Sequence, residues 1–258
     1  MLTSPQRGAG DPPLNLMPLI REAFERPPDA AGILQGVRPL RQGKPHVRIV
    51  LMPSPKNGNR IIAAEGRLEA AMVNSLELDP SAAAFRGQPF PMPGPNGRDL
   101  VCDLVVRHMD GTYTVIDVKP AGALLFTKVQ KRMAHVSGLL AQSHVAHRVF
   151  TERELELQPS RQIRDQLRRG AKTALTEYQR DQVLAFVRRG PTTVGKARTF
   201  AMNEGIAPLA IEKLALLEHL TFRIDAPWGI STLIGDRHER TSSPYHRWGS
   251  VRDVVVRI

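Results

Sequence analysis

Cysteine is nearly missing from this 258-residue sequence. The single one, Cys102, excludes an intrachain disulfide and any zinc cage built from several thiolates. Long apolar runs are missing too. Nothing approaches the roughly 18–20 consecutive apolar residues that span a bilayer, and no apolar stretch follows Met1 in the manner of a secretory signal. These absences argue against membrane-spanning and secreted classes, and the expectation is a chain of the reducing cytoplasm. Acidic residues are the third shortage: 25 Asp and Glu stand against 36 Lys and Arg, for a net charge of +11. Such a balance attracts polyanions, nucleic acid first and acidic membrane surfaces second.

The length allows one or two domains. Residues 1–45 are rich in Pro, Gly and Arg, with a short apolar patch at 14–23, and read as a basic, irregular arm. An α/β domain is expected over 46–155. Its elements begin with a β-like run at 47–52. A helix over 60–77 follows, with Leu68, Met72 and Leu76 at helical spacing and Pro80 as its stop. Next come a strand at 83–90, a loop at 91–98, a hairpin over 100–119, a helix at 124–142 and a strand at 148–151. The order β-α-β-β-β-α-β predicts a mixed sheet with helices packed around it. Residues 156–258 begin with a connector that carries a basic helix at 157–176. Three short helices follow: 178–189, one capped by Thr192-Thr193 and ending near 205, and one from Pro208 to 220. With two short strands at 221–224 and 229–234, they predict a winged-helix-like domain.

The chemistry concentrates in the hairpin. Leu100–Arg107 reads as one strand, Met109-Asp110-Gly111 as the turn and 112–119 as the return. A three-residue loop ending in a left-handed Gly is a favoured connection. It sets His108 opposite Thr112 and therefore Asp103 opposite Asp117. Directly opposed residues share a face with Cβ atoms roughly 4.5–5.5 Å apart, so the two carboxylates can hold one metal ion. Lys119, two residues beyond Asp117, returns to the same face. Cys102, Leu104, Val106, Ile116 and Val118 are then expected on the opposite, apolar face. A two-residue Asp-Gly loop would instead pair Asp103 with Val118 and break the site.

Hydrolysing a phosphodiester needs a metal held by hard oxygen ligands, because charge gathers on the non-bridging and leaving oxygens. Asp103, Asp117 and the backbone carbonyl of Val118 supply such oxygens. Lys119 could polarise an attacking water or stabilise the phosphorus centre. A further acid is expected from a nearby helix, and Glu65 and Glu69 are expected one turn apart on the 60–77 helix. Gln88, before Pro89, is an accessory candidate for orienting phosphate or water. His144 and His147 are read as surface residues, and Trp228 and Trp248 as packing.

The hairpin with its upstream acid resembles the nuclease core of PD-(D/E)xK enzymes. More narrowly, Arg67-Leu68-Glu69, Leu78-Asp79-Pro80, Gln88-Pro89, Cys102-Asp103, Asp117-Val118-Lys119 and Thr151-Glu152 are similar in order to TnsA, the endonuclease subunits that cut transposon ends. Cys102 stands where the family has proline, and Ala64-Glu65-Gly66-Arg67 lacks the family's serine. The resemblance covers about residues 47–155 and extends to the downstream winged helix. It implies a restriction-endonuclease-like mixed sheet and prefers Glu69 to Glu65 as the helix-borne ligand. It further implies Mg²⁺, for which Mn²⁺ would substitute, and cleavage at the 5′ ends of a mobile element. The implied partners are a DDE-type transposase subunit and an AAA+ ATPase regulator.

For DNA, Lys128, Lys131, Arg132 and His135 recur at helical spacing after the hairpin and suit phosphate contacts. The segments 161–172 and 38–48 are further basic candidates. The expected third helix of the C-terminal module offers Glu212, Lys213, Glu218 and His219. Acids facing a groove lined with phosphate would be repelled, so the module is expected to dock protein. Two other readings remain: a stand-alone PD-(D/E)xK nuclease of restriction or resolvase type, and a non-enzymatic winged-helix DNA-binding regulator.

Overall fold

The computed structural model describes residues 14–38, 48–79, 81–156, 160–217, 219–223 and 226–236. The chain is mixed α/β and divides into two compact units. Of the described residues, the first unit holds 14–38, 48–76 and 81–155, and the second holds 77–79 and those from 156 onwards. No helix among them is long and apolar enough to cross a membrane.

The first unit opens with α1 (Met17–Glu25), which buries Leu16, Ile20 and Ala23 in the core. The reading of residues 1–45 as an irregular arm is therefore corrected for 14–38, while 1–13 and 39–47 lie outside the described residues. After β1 (Ile33–Leu34), β2 (Ile49–Ser54) and β3 (Arg60–Glu65) form an antiparallel hairpin, with β1 parallel to β3. Gly58 and Asn59 turn that hairpin with φ of 68° and 60°. The expected helix over 60–77 is thus shortened. Residues 60–65 pair as a strand, Gly66 breaks the chain at φ 95°, and α2 covers only Arg67–Leu78. Met72 and Leu76 are fully buried on α2, as their spacing predicts.

The main sheet has the order β4-β7-β8-β9, from β4 (Ala82–Gly87), β7 (Leu104–His108), β8 (Tyr113–Val118) and β9 (Ala146–Phe150). All neighbours are antiparallel except β8 and β9, which run parallel. The expected strand from Leu100 to Arg107 is broken in two. Its start is β6 (Leu100–Val101), which pairs with β5 (Pro91–Met92), and the ladder resumes at Leu104. Between β8 and β9 lies α3 (Thr127–Gln142), and α4 (Glu152–Leu155) ends the unit. On one face of the hairpin Val105 and Val115 pack with residues of α1 and with Val136 and Leu140 of α3. Leu104, Val106, Ile116 and Val118 on the other face are buried as well. Burial on both faces explains the near-continuous apolar run, and each such side chain contributes roughly 1.5–3 kcal/mol.

The second unit contains α5 (Ser160–Arg169), α6 (Glu177–Arg188), β10 (Thr192–Thr193), α7 (Val194–Asn203), α8 (Ala210–Leu216), β11 (Leu220–Phe222) and β12 (Leu233–Asp236). The strands form an antiparallel sheet of order β10-β12-β11. A capping box of Thr176 and Gln179 starts α6, and the Thr193 hydroxyl accepts from the Lys196 amide at the start of α7. The helix expected from Pro208 to 220 is reduced to one of seven residues, and Leu220 already begins a strand.

The acid-bearing face expected of that helix is also corrected. Glu212 is 1% exposed, ion-paired with Arg198, and accepts from Nε1–H of Trp228 at 2.9 Å. Glu218 lies outside the described residues. Helix α5 packs on α8, and at Gly170, just past α5, an added Cβ would stand 2.5 Å from the Lys213 amide nitrogen. The basic helix of the connector is largely spent inside this unit. Arg164 is buried, and Arg161 pairs with Glu156 and Asp165. Trp228 packs against Phe222 edge-on at 5.0 Å, and Trp248 lies outside the described residues.

Candidate active site

The β7–β8 register pairs Leu104 with Ile116 and Arg107 with Tyr113, which places Asp103 opposite Asp117 one step beyond the ladder. The turn is the three-residue one: the His108 amide donates to the Thr112 carbonyl, and Gly111 takes φ 81°. At Asp103 the side chain replaces the backbone in closing the ladder. Its Oδ2 accepts the amide of Val118 at 2.7 Å, while its carbonyl accepts the amide of Gln88 at 2.8 Å. This bend reverses the facing of the residue before it. Cys102 packs with Val105 and Val115, not with Leu104 and Val106 as expected.

Lys119 joins the two acids. Its Nζ lies 2.7 Å from Asp103 Oδ2 and 3.0 Å from Asp117 Oδ1, and it also donates to the Val118 carbonyl at 3.2 Å. Burial works against the ammonium charge, but the two carboxylates outweigh it and hold the lysine pKa above its ordinary value. For Asp117, which is fully buried, desolvation pushes the pKa up. The hydrogen bond to His147 and the charge of Lys119 together reverse that and hold the carboxyl well below the usual range. Asp103 goes the other way: burial and the Asp117 charge raise its pKa against the pull of Lys119. The pair thus divides into one firmly ionised acid and one that is reluctant to ionise.

Glu65 and Glu69, expected one turn apart on a helix, are separated by the Gly66 break. Glu65 ends β3, and Glu69 sits in the first turn of α2. The Glu65 amide donates to Glu69 Oε2 at 2.8 Å. The Glu69 pKa is raised to about 7, by burial first and then by the charge of Asp103. That repulsion links the Glu69 carboxylate electrostatically to the hairpin acids.

His147 was read as a surface residue and is a central part of the site. Its side chain is only 3% exposed, with Nε2 3.1 Å from Asp117 Oδ2 and Nδ1 2.8 Å from the hydroxyl of Ser137. The expected strand began at Arg148, whereas β9 begins at Ala146. The parallel register pairs His147 with Val115 and Val149 with Asp117, so His147 shares the Asp117 face. His144 is exposed, as expected.

The basic residues of α3 part company. Lys128 and Lys131 are exposed. Arg132 donates to the Val101 carbonyl at 3.1 Å and lies 3.9 Å from Asp117 Oδ1, which brings its guanidinium beside the hairpin acids. His135 donates from Nε2 to the Pro93 carbonyl at 2.9 Å, which removes it from phosphate contact. Gln88 is buried in a left-handed conformation, φ 42°, and its Oε1 has no hydrogen-bond partner.

Two donor sets compete for the description of a cation site. Cys102, Asp117 and His147 place a thiol, a carboxylate and an imidazole within 4.8 Å of one another. In the metal-free site burial and then Asp117 push the Cys102 thiol up, so this set presents a neutral thiol beside the carboxylate and imidazole. Asp103, Asp117, Glu69 and the Val118 carbonyl offer oxygens of the kind a hard divalent cation takes, and the two aspartates share the Lys119 ammonium, while Glu69 is tied to Asp103 only through its charge. Asp117 Oδ1 is buried and faces the Lys119 ammonium at 3.0 Å and the Arg132 guanidinium at 3.9 Å. No protein-family model matches the chain, and no curated protein matches it.

Proposed function

We propose that this protein is a divalent-metal-dependent DNA endonuclease whose centre is Asp103, Asp117, Lys119 and Glu69. The observation that carries the reading is the opposed pair Asp103 and Asp117 with one lysine ammonium against both. Asp103, Asp117, the Val118 carbonyl and Glu69 would hold Mg²⁺, or Mn²⁺ in its place. Bound there, the ion would stabilise charge on the scissile phosphoryl group and make a water nucleophilic near neutral pH.

The chain's own residues divide the remaining work. Lys119 supplies a mobile cation for the attacking water or the developing charge at phosphorus. Arg132 adds positive charge beside Asp117. Lys128 and Lys131, exposed on the preceding turn of α3, are suited to flanking phosphates, and the net charge of +11 favours a polyanionic substrate.

The order of the motifs supports the narrower reading of a TnsA-like subunit with a restriction-endonuclease-like core, cutting at the 5′ ends of a mobile element. The succession α6-β10-α7-α8 with two further strands supports a winged-helix-like second unit. Its α8 buries nearly every residue, so it offers no surface for reading bases. Without base-reading by α8, the motif order is what supports a module that works with a DDE-type transposase subunit or an AAA+ ATPase, over a stand-alone nuclease or a DNA-binding regulator. A single buried cysteine suits a cytoplasmic setting.

The test is nicking of transposon-end DNA in Mg²⁺ with the partner subunits present. Cleavage by the wild-type chain and its loss in Asp117→Ala and Asp103→Ala support the reading. Equal nicking by Asp103→Ala sinks it. Strong sequence-specific nicking by the isolated chain would move the assignment to a stand-alone enzyme. A transposase and an ATPase in neighbouring reading frames would support the transposon reading independently.

A further inference from the structure

We infer that His147 and Ser137 are positioning residues that hold one oxygen of Asp117 and thereby commit the other to the cation. The inference rests on the metal-centre reading above and assigns roles within that site. Its basis is the asymmetry of a single carboxylate. Oδ2 of Asp117 is bound to His147 Nε2 at 3.1 Å, whereas Oδ1 is turned to the ammonium of Lys119. The two cationic side chains that approach this carboxylate, Lys119 at 3.0 Å and Arg132 at 3.9 Å, are both measured to Oδ1. The oxygen left with lone pairs to offer is the one facing positive charge.

The proton positions follow from the donors. An ionised carboxylate only accepts, so Nε2 of His147 carries the hydrogen. Nδ1 and the Ser137 hydroxyl, 2.8 Å apart, share the second hydrogen bond of the ring. Ser137 lies inside α3, whose Met133, Val136 and Leu140 are anchored in the core, so the end of the relay is fixed by packing. His147 lies on β9, whose parallel register with β8 pairs Asp117 with Val149. Helix α3 and strand β9 therefore fix the imidazole between them. The imidazole in turn keeps Asp117 from rotating its second oxygen into the site. A histidine donating to a carboxylate that ligates a metal is an outer-sphere contact, and loss of such a contact typically lowers metal affinity about 10–100-fold.

The experiment is calorimetric titration of the full chain with Mn²⁺ alone, without DNA, alongside the Mn²⁺ concentration that half-saturates nicking. His147→Leu keeps bulk and removes the N–H, and its Mn²⁺ affinity is expected to fall about 10–100-fold. His147→Gln places an amide N–H near the position of Nε2–H and is expected to stay within about 3-fold of wild type, and Ser137→Ala to lose no more than about 10-fold. Folding of each variant is checked by thermal unfolding. A folded His147→Leu chain that binds Mn²⁺ as wild type does overturns the assignment while leaving the metal centre intact. His147→Gln as weak as His147→Leu also overturns it, because the ring and not its N–H would then matter. A wild-type chain that binds no Mn²⁺ overturns the metal reading, and this assignment with it. If His147→Leu does not fold, His147→Asn, whose shorter amide cannot take the place of Nε2–H, replaces it, and Mn²⁺ binding by a folded Asn variant equal to wild type overturns the assignment.

Discussion

The backbone amide of Glu65 donates to the carboxylate of Glu69 at 2.8 Å across the left-handed Gly66. The contact ties the acid in the first turn of α2 to the end of β3, close enough to Asp103 for their charges to repel. Burial and that repulsion raise the Glu69 pKa from the ordinary 4.5 to about 7. A raised acid binds its proton more tightly in the folded chain than in the unfolded one. Its effect on stability is therefore most favourable below about pH 4.5 and is lost as the pH climbs to about 7. Glu69→Gln is expected to be more stable than wild type at pH 8, by roughly 2–3 kcal/mol, with the difference vanishing near pH 4. Thermal unfolding across that range measures it, and a variant less stable than wild type at pH 8 would refute the raised pKa.

Lys119→Met leaves two buried acids without their shared cation. Breaking a buried pair on one side costs about 3–5 kcal/mol, and uptake of a proton by Asp103 reduces that loss at low pH. The variant is expected to melt lower than wild type, most clearly at pH 8, and to regain part of the loss on addition of Mg²⁺. Nicking should stay reduced on the order of 100- to 1000-fold even when Mg²⁺ restores stability. Recovery of both together would show that the lysine is only a structural counter-ion.

Gln88 holds a φ of 42°, and an added Cβ at Gly36 would stand 2.6 Å from its Cβ. Gly36→Ala is expected to destabilise the chain by about 1–3 kcal/mol through overpacking. Gln88→Gly suits the left-handed backbone and should not lower the melting temperature. A fall in nicking without a fall in stability would assign Gln88 its accessory role. Unchanged nicking would remove it from the site.

Lys128 and Arg132 lie one turn apart on α3 but face different tasks. Lys128→Ala is expected to reduce the slope of log DNA affinity against log salt by about 1. Arg132→Ala should leave the slope nearly unchanged and lower cleavage instead, since its guanidinium is engaged by the Val101 carbonyl and stands near Asp117. Titrations in Ca²⁺ at several salt concentrations separate the two.

The hairpin was legible because loop length alone fixes an antiparallel register, so one turn located Asp103, Asp117 and Lys119 together. The facing of Cys102 was not, because alternation assumes an unbroken strand. Here the Asp103 carboxylate takes the ladder's next amide and bends the chain. Residues 60–65 were read as helix because Ile61, Ile62, Ala63 and Ala64 satisfy either period. The Asn57-Gly58-Asn59 turn before them was the available signal for a strand. His147 escaped for a different reason. Its role depends on which strand lies beside β8, a parallel pairing between segments far apart in sequence that no local pattern encodes. The burial of Glu212 follows from the same limit, since only the packed unit brings Arg198 and Trp228 to it.

Lys119 also bears on how the hairpin can close. One ammonium already stands against both acids, so the chain brings its own counter-ion and can close β7 on β8 before any solute arrives. On the proposed reading, Asp103 and Asp117 would turn their oxygens from the ammonium to a divalent cation, and Lys119 would stay tethered beside them. Its positive charge would then be held next to the carboxylates by the chain itself, at a local concentration no dissolved cation could reach.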